Sequence, residues 1–175
     1  QAYSGIMSVT GHDSSEPARV GASVVDFGTG MWSALGVLAA LHKRTETGKG
    51  SHVTTALLDT AIGWVSYHLM GHLATGLVPG PMGSGFAMIA PYQMFPTSDG
   101  QLMIGAGNDA SFYRLCAALN LPDLAGDPRF ASNPSRVERK EELFTLLADV
   151  TSKHTTQGLW ELLGTYSVPC APIQN

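Results

Sequence analysis

The chain has 175 residues, enough for one ordinary domain or two small ones; 44% are hydrophobic and 14% charged, the latter well below the usual quarter. A formal net charge of −4, with no long run of like charges, argues against a general nucleic-acid binder. Cys116 and Cys170 are too few and too far apart for a disulfide framework or a metal-ligand spacing, which points to a reducing, cytoplasmic setting.

No stretch approaches eighteen uninterrupted apolar residues, so no membrane span is predicted. The opening Gln1-Ala2-Tyr3-Ser4-Gly5 has neither the charged leader nor the apolar core of a signal peptide, and the chain reads as an internal piece of a larger protein. Residues 1–25 are Gly- and Ser-rich and read as loops with a short helix. From Thr29 to about Thr45 the apolar residues Trp32, Leu35, Val37, Leu38 and Leu41 cover most of a helix circumference, which predicts burial on most sides. His42, Lys43 and Arg44 suit the negative end of the helix dipole, and Gly48 and Gly50 stop the helix. Ser51–Leu57, with Val53, Thr54 and Thr55, reads as a strand. A second helix is expected over Leu58–Leu73, where Leu58, Ile62, Val65 and Leu69 recur at helical spacing.

Gly76, Pro79, Gly80, Pro81 and Gly83 then break the chain, placing a boundary near residue 80. Tyr92–Phe95, a turn at Ser98-Asp99-Gly100 and a return strand Gln101–Ile104 form a hairpin. Helices are expected over Ala110–Leu119, Pro134–Ser152 and Thr156–Thr165, and Val168–Pro172 reads as an extended, Pro-bearing segment. The strand at 51–57 lacks the neighbours a sheet needs, so residues 1–75 read as once part of a larger domain, and the second half reads as a small α+β unit.

Asp26 stands in Val24-Val25-Asp26-Phe27-Gly28-Thr29-Gly30, between an apolar strand-like run and the apolar helix. A carboxylate just before a helix faces the positive dipole end, which favours the ionised, nucleophilic form. Gly28 and Gly30 would leave bare backbone beside it. From position alone, an ordinary helix-capping aspartate is the better reading. Gly83-Ser84-Gly85 can move and present N–H groups to a developing oxyanion, and a flexible connector fits it equally well. Gly105-Ala106-Gly107-Asn108-Asp109-Ala110 imitates a dinucleotide fingerprint, but it follows a hairpin arm and no βαβ unit comes after, so it reads as a strand-to-helix turn. His68 and His72, one helical turn apart, lack a third ligand and read as packing residues, so no metal is expected. Cys170 has no basic neighbour and reads as structural.

In order along the chain, several segments resemble the class III CoA-transferase family, also called the carnitine dehydratase / bile-acid-inducible family. They begin with Gln1–Gly11, Arg19-Val20-Gly21, Asp26 with Gly28-Thr29-Gly30, Leu38–Leu41 and Thr47–Gly50. They continue through Leu57-Leu58-Asp59, Ala90-Pro91-Tyr92-Gln93, Asp99-Gly100, Asp127–Phe130, Asn133, Arg136 and Val168–Pro172. The resemblance implies a fold of α/β and α+β class: part of a large Rossmann-like domain over residues 1–57, a linker helix and loop over 58–80 and a small inserted α+β domain over 81–175, in an interlocked homodimer. It implies an acyl-CoA and a small carboxylic acid as partners, the coenzyme A thioester being a substrate rather than a bound cofactor, with no nucleic acid and no membrane. It places the attacking carboxylate at Asp26, through an acyl-aspartyl anhydride and an aspartyl-CoA thioester, and a mobile glycine-rich loop near Gly83, Ser84 and Gly85. Two alternatives stand beside it. One is a 2-methylacyl-CoA racemase of the same family using the aspartate as acid or base; the other is a non-catalytic, self-associating fragment.

Overall fold

The computed structural model describes residues 1–12 and 16–174, and the chain divides into two units, Gln1–Gly83 and Ser84–Asn175. In the first unit a 3-10 turn at Met7–Val9 precedes helix α1 (Val24–Thr47), α2 (Leu57–Trp64) and α3 (Ser66–Thr75). The second unit begins with strands β1 (Tyr92–Pro96) and β2 (Gln101–Gly105). Helices α4 (Asp109–Ala118), α5 (Pro122–Gly126), α6 (Asn133–Glu138), α7 (Lys140–Thr151) and α8 (Thr156–Thr165) follow, and β3 (Cys170–Pro172) closes it.

Helix α1 begins five residues earlier than its sequence pattern predicts. Val24 and Val25 are β-branched, but no partner strand stands beside them among the described residues, and a strand without a ladder leaves its backbone unpaired. They join the helix, and Asp26 falls within its first turn. The C-terminus is as the sequence predicts: Gly48 adopts φ +68° and donates its N–H to Arg44 O at 2.8 Å.

The predicted strand at 51–57 is absent for the same reason. Residues 51–56 have no ladder and pack against α1. Val53 fills the notch at Gly36, where a Cβ would come within 2.7 Å of Val53 Cγ1, and Thr55 Oγ1 lies 2.7 Å from Ser33 Oγ. The predicted helix 58–73 is broken at Val65 (φ −98°, ψ 13°) into α2 and α3.

The burial predicted for α1 is not met within this chain. Only Val25 and Gly28 are buried, and Met31, Trp32, Leu35, Val37, Leu38 and Leu41 are exposed, Leu38 at 63%. The first unit's core is correspondingly small, centred on Ile6, Val25 and Ala61. With 24 residues and a mean hydropathy of 1.5 over its most apolar window, α1 is long and apolar enough to cross a membrane. The core helix of a soluble protein passes the same test, and Thr29 and Ser33 join α1 to Thr60 and Thr55 through their hydroxyls.

The second unit encloses its own core. Its sheet has the order β1-β2-β3 and is antiparallel throughout, pairing Phe95 with Leu102 and Ile104 with Cys170. Phe95, Leu102 and Ile104 point inward onto Phe112, Leu115, Phe130, Leu143, Leu147, Leu159 and Leu163. The predicted helix 134–152 is split at Arg139 (φ −115°, ψ 30°). Helix α5, with Pro122 at its first turn, was not predicted.

Arg136 lies at 0% exposure among these apolar side chains. Its Nε donates to Ala90 O at 2.8 Å, Nη1 to Phe130 O at 3.0 Å, and Nη2 to Gly107 O at 3.0 Å and to Asp109 Oδ1 at 2.8 Å. The guanidinium also stands over the Phe112 ring, 4.5 Å from its centroid. One turn earlier, Asn133 holds the same loop: Nδ2 donates to Met88 O at 2.8 Å, and Oδ1 accepts Ala90 N–H at 3.1 Å.

The hairpin turn docks on the start of α8. Asp99 Oδ1 accepts from Thr156 N at 2.7 Å, Thr156 Oγ1 at 2.8 Å and Thr97 Oγ1 at 3.3 Å. The Thr156 backbone N–H, then its hydroxyl, hold the Asp99 carboxyl below the usual carboxylate range. A depressed folded value means that the stabilisation is fully present above the ordinary aspartate pKa, about 3.9, and is lost as pH falls through the lower folded value. Urea unfolding of wild type and Asp99→Asn should therefore differ by a constant margin from pH 7 down to about 4, and the margin should shrink below that. A margin independent of pH down to pH 2 would contradict this.

Candidate active site

Asp26 occupies the third position of α1 and is exposed. Ser23, at the N-cap, makes no side-chain cap bond, so the acidic side chain in the first turn is left to complement the positive end of the helix dipole. The sequence pattern puts this carboxylate before the helix; the structure puts it on the helix, where backbone hydrogen bonds fix its direction.

The two neighbouring glycines have different roles. A helix turns 100° per residue, so Gly30 lies about 40° from Asp26 and Gly28 about 160° away. A Cβ at Gly30 would meet nothing within 4 Å, so the backbone on the aspartate's side is open. A Cβ at Gly28 would come within 2.8 Å of Trp64 Cζ2 and 2.9 Å of Thr60 Cγ2. Gly28 is therefore a packing glycine that lets α2 approach α1, and it is not the bare approach path expected from the sequence.

On that far side of α1 lies an apolar cavity of about 570 Å³, lined by Ile6, Val9, Val20, Val24, Phe27, Gly28, Met31, Trp64, Val65, Tyr67 and His68 among others. Val24, Gly28 and Met31 form one stripe of the helix, and Asp26 stands about half a turn from it. The cavity and the carboxylate thus sit on opposite faces of α1. His68 borders the cavity with its ring 4.0 Å from that of Tyr67, and burial lowers its pKa. His72 is engaged elsewhere, with Nδ1 2.9 Å from Leu77 O. The two histidines do not share a partner, and no group of three metal-binding side chains occurs among the described residues.

Within the Gly83-Ser84-Gly85 segment, Gly83 and Ser84 are each held by a hydrogen bond. Gly83 has φ +60° and donates its N–H to Gly11 O at 2.7 Å, and a Cβ there would lie 2.9 Å from His12 Nδ1. Ser84 Oγ accepts Met94 N–H at 2.9 Å. The Gly83 N–H is thus already used, and the division between the two units falls directly after it.

Residues 105–110 form the strand-to-helix turn expected of them. Asn108 caps α4, its Oδ1 accepting Ser111 N–H at 2.8 Å. Gly107 is required by Ile89, whose Cγ2 takes the space a Cβ would need. A second cavity there is lined by Tyr92, Asn108, Asp109 and Asn133, but Asn108, Asp109 and Asn133 are already committed to the bonds described above. Burial pushes the Cys116 thiol up to about 11 and raises that of Cys170, so neither is poised as a thiolate nucleophile. Residues the sequence did not single out, Thr60 and Trp64, are the ones that brace Asp26's turn. The one signal for them was the run of small residues at 28–30, which marks close helix packing.

The sequence model described as CoA-transferase family III matches residues 1–175. Among curated proteins, the chain is 35% identical to the succinate–glutarate CoA-transferase of Agrobacterium fabrum, over all of this chain and 44% of that protein. It is 34% identical to the acetyl-CoA:oxalate CoA-transferase of Acetobacter aceti, over 99% of this chain and 45% of that protein. Among solved structures, a CAIB/BAIF family protein from Brucella suis superposes with a TM-score of 0.78 at 38% identity, over 100% of this chain and 46% of its own. Rv3272 from Mycobacterium tuberculosis superposes at 0.86 and 27% identity, over 99% of this chain and 45% of its own. The chain belongs to CoA-transferase family III, has the mixed helical and small-sheet fold expected of it, and spans less than half the length of the relatives it matches.

The different roles of Gly28 and Gly30 predict opposite signs for the same substitution. Gly30→Ala should gain up to ~1 kcal/mol of helix propensity. At Gly28 the same gain is outweighed by overpacking against Trp64 and Thr60, which costs about 1–3 kcal/mol. Thermal unfolding of the two variants should move in opposite directions, and a stabilised Gly28→Ala would refute the packing role.

Proposed function

We propose that this member of CoA-transferase family III moves coenzyme A between an acyl-CoA and a carboxylic acid, with Asp26 as the covalent nucleophile. The observation that carries this reading is an exposed carboxylate held on the first turn of a rigid helix, with open backbone at Gly30 on the same face. The names of the relatives support the reaction class. They couple succinate with glutarate and acetyl-CoA with oxalate, which favours a short dicarboxylate as one of the two acids.

In this scheme an Asp26 carboxylate oxygen attacks the thioester carbonyl, and the carbon–sulfur bond breaks to release the CoA thiolate. The product is an acyl-aspartyl anhydride. The thiolate attacks the aspartyl carbonyl of that anhydride and expels the donor acid as its carboxylate, leaving an aspartyl-CoA thioester. The acceptor carboxylate then attacks this thioester, releasing the thiolate and forming a second anhydride. Attack of the thiolate on the acceptor's acyl carbon yields the new acyl-CoA and free Asp26. Charge is conserved at each step, and no proton needs to be transferred.

Asp26→Asn in the full-length protein should lower kcat by several orders of magnitude, since the attacking anion is removed outright. Incubation of the wild type with acyl-CoA and hydroxylamine should place a hydroxamate on the Asp26 peptide, detected by mass spectrometry. A racemase would exchange the α-proton of its substrate and give no such adduct. An active Asn variant would sink the proposal.

We also assign the exposed face of α1 to an interface in the working enzyme. Met31, Trp32, Leu35, Leu38 and Leu41 are large apolar side chains, all exposed on one helix, and exposed apolar patches mark interaction surfaces. Residues 1–175 alone should therefore turn over little or no acyl-CoA and should self-associate. A monomer by light scattering at high concentration, or robust turnover, would contradict this.

A further inference from the structure

The first turn of α1 is held by a chain of hydroxyl groups that ends on the aspartate's own peptide. Thr29 Oγ1 lies 2.8 Å from Val25 O, the carbonyl of the peptide that joins Val25 to Asp26. The same oxygen lies 2.9 Å from Thr60 Oγ1 on α2. Thr60 Oγ1 in turn lies 3.2 Å from Ala56 O, at the N-cap of α2. Thr60 is only 4% exposed, so its hydroxyl has to find its partners within the protein.

Each hydroxyl has one proton, so the chain closes in two ways. Thr29 donates to Val25 O and accepts from Thr60, or Thr29 donates to Thr60 and Thr60 donates to Ala56 O. Both arrangements tie α2 to the turn that carries Asp26. In the first, Val25 O also accepts the helical N–H of Thr29, so two donors grip one carbonyl, the back-bonding that bends helices. The hydroxyls meet only because Gly28 has no Cβ to hold α2 away.

We infer that Thr29 is a positioning residue for Asp26 and that Thr60 is its tether. Together they orient the Val25–Asp26 peptide, and with it the direction in which the carboxylate leaves the helix. This rests on Asp26 being the nucleophile. Neither threonine touches the reacting atoms. Their contribution is alignment, and alignment of a nucleophile with a carbonyl is worth orders of magnitude in rate.

The test uses Thr29→Val and Thr60→Val in the full-length protein, each preserving side-chain shape while deleting the hydroxyl. kcat should fall roughly tenfold or more, with KM for the acyl-CoA unchanged, and hydroxylamine trapping should be slower but still on Asp26. Thr29→Ser and Thr60→Ser, which restore the hydroxyl, should recover most of the loss. Valine variants with wild-type kcat would overturn the inference. So would serine variants as impaired as the valine ones, because the methyl and not the hydroxyl would then matter; if a valine variant fails to fold, the serine variant against wild type decides, and a roughly tenfold loss of kcat in it overturns the inference. An active Asp26→Asn enzyme would overturn the proposed reaction itself. An inactive Asp26→Asn enzyme beside fully active threonine variants would remove only the positioning role.

Discussion

The distance between α1 and α2 at Gly28 governs the first unit. With no side chain there, the Trp64 ring and the Thr60 methyl occupy the space a Cβ would need, and everything near Asp26 follows from that approach. It buries Val25 beside Ala61, brings two threonine hydroxyls within bonding distance and fixes the turn on which the carboxylate stands. It also separates two surfaces. One face of α1 lines an apolar cavity, and the other presents an acid beside bare backbone.

The two units differ in how much of their apolar surface they hide. The second buries a continuous core from Ala90 to Val168, whereas the first leaves most of α1 and much of α3 in solvent. The residue bearing the candidate chemistry is thus on the less covered unit. The relatives it matches are more than twice this length. Several sequence motifs in the second unit bear on this contrast, because Asn133, Arg136, Asp127 and Asp99 all spend their polar atoms on backbone or side-chain partners within that unit.

Local signals were the most legible in the sequence. The hairpin, the glycine stop of α1, the strand-to-helix turn at 105–109 and helix α8 each depend on residues a few positions apart, and each was predicted close to where it lies. The misses depend on partners far along the chain or absent from it. Val24 and Val25 read as strand because β-branched residues favour it, but strand propensity is expressed only beside another strand. The same holds for residues 51–56. The burial of α1 was misjudged because an apolar circumference shows that covering is needed and does not say which residues supply it. At the candidate site, position alone favours a helix-capping role for Asp26, and it is the family resemblance that singles it out. The roles of Thr60 and Trp64 could not be read from the sequence, because those residues stand more than thirty positions away and act through contact distances.

Arg136 has a consequence for how the second unit comes apart. Its guanidinium takes carbonyls from three separate stretches of chain, at Ala90, Gly107 and Phe130. A buried cation that has lost part of its partners is worse off than one returned to water. If one stretch peels away, the charge is left underpaired, and the favourable response is for the other two to release it as well. Local fraying is thereby converted into a single concerted opening. The loops that meet at this guanidinium should exchange their amide hydrogens together as one cooperative block, although they are scattered through the sequence.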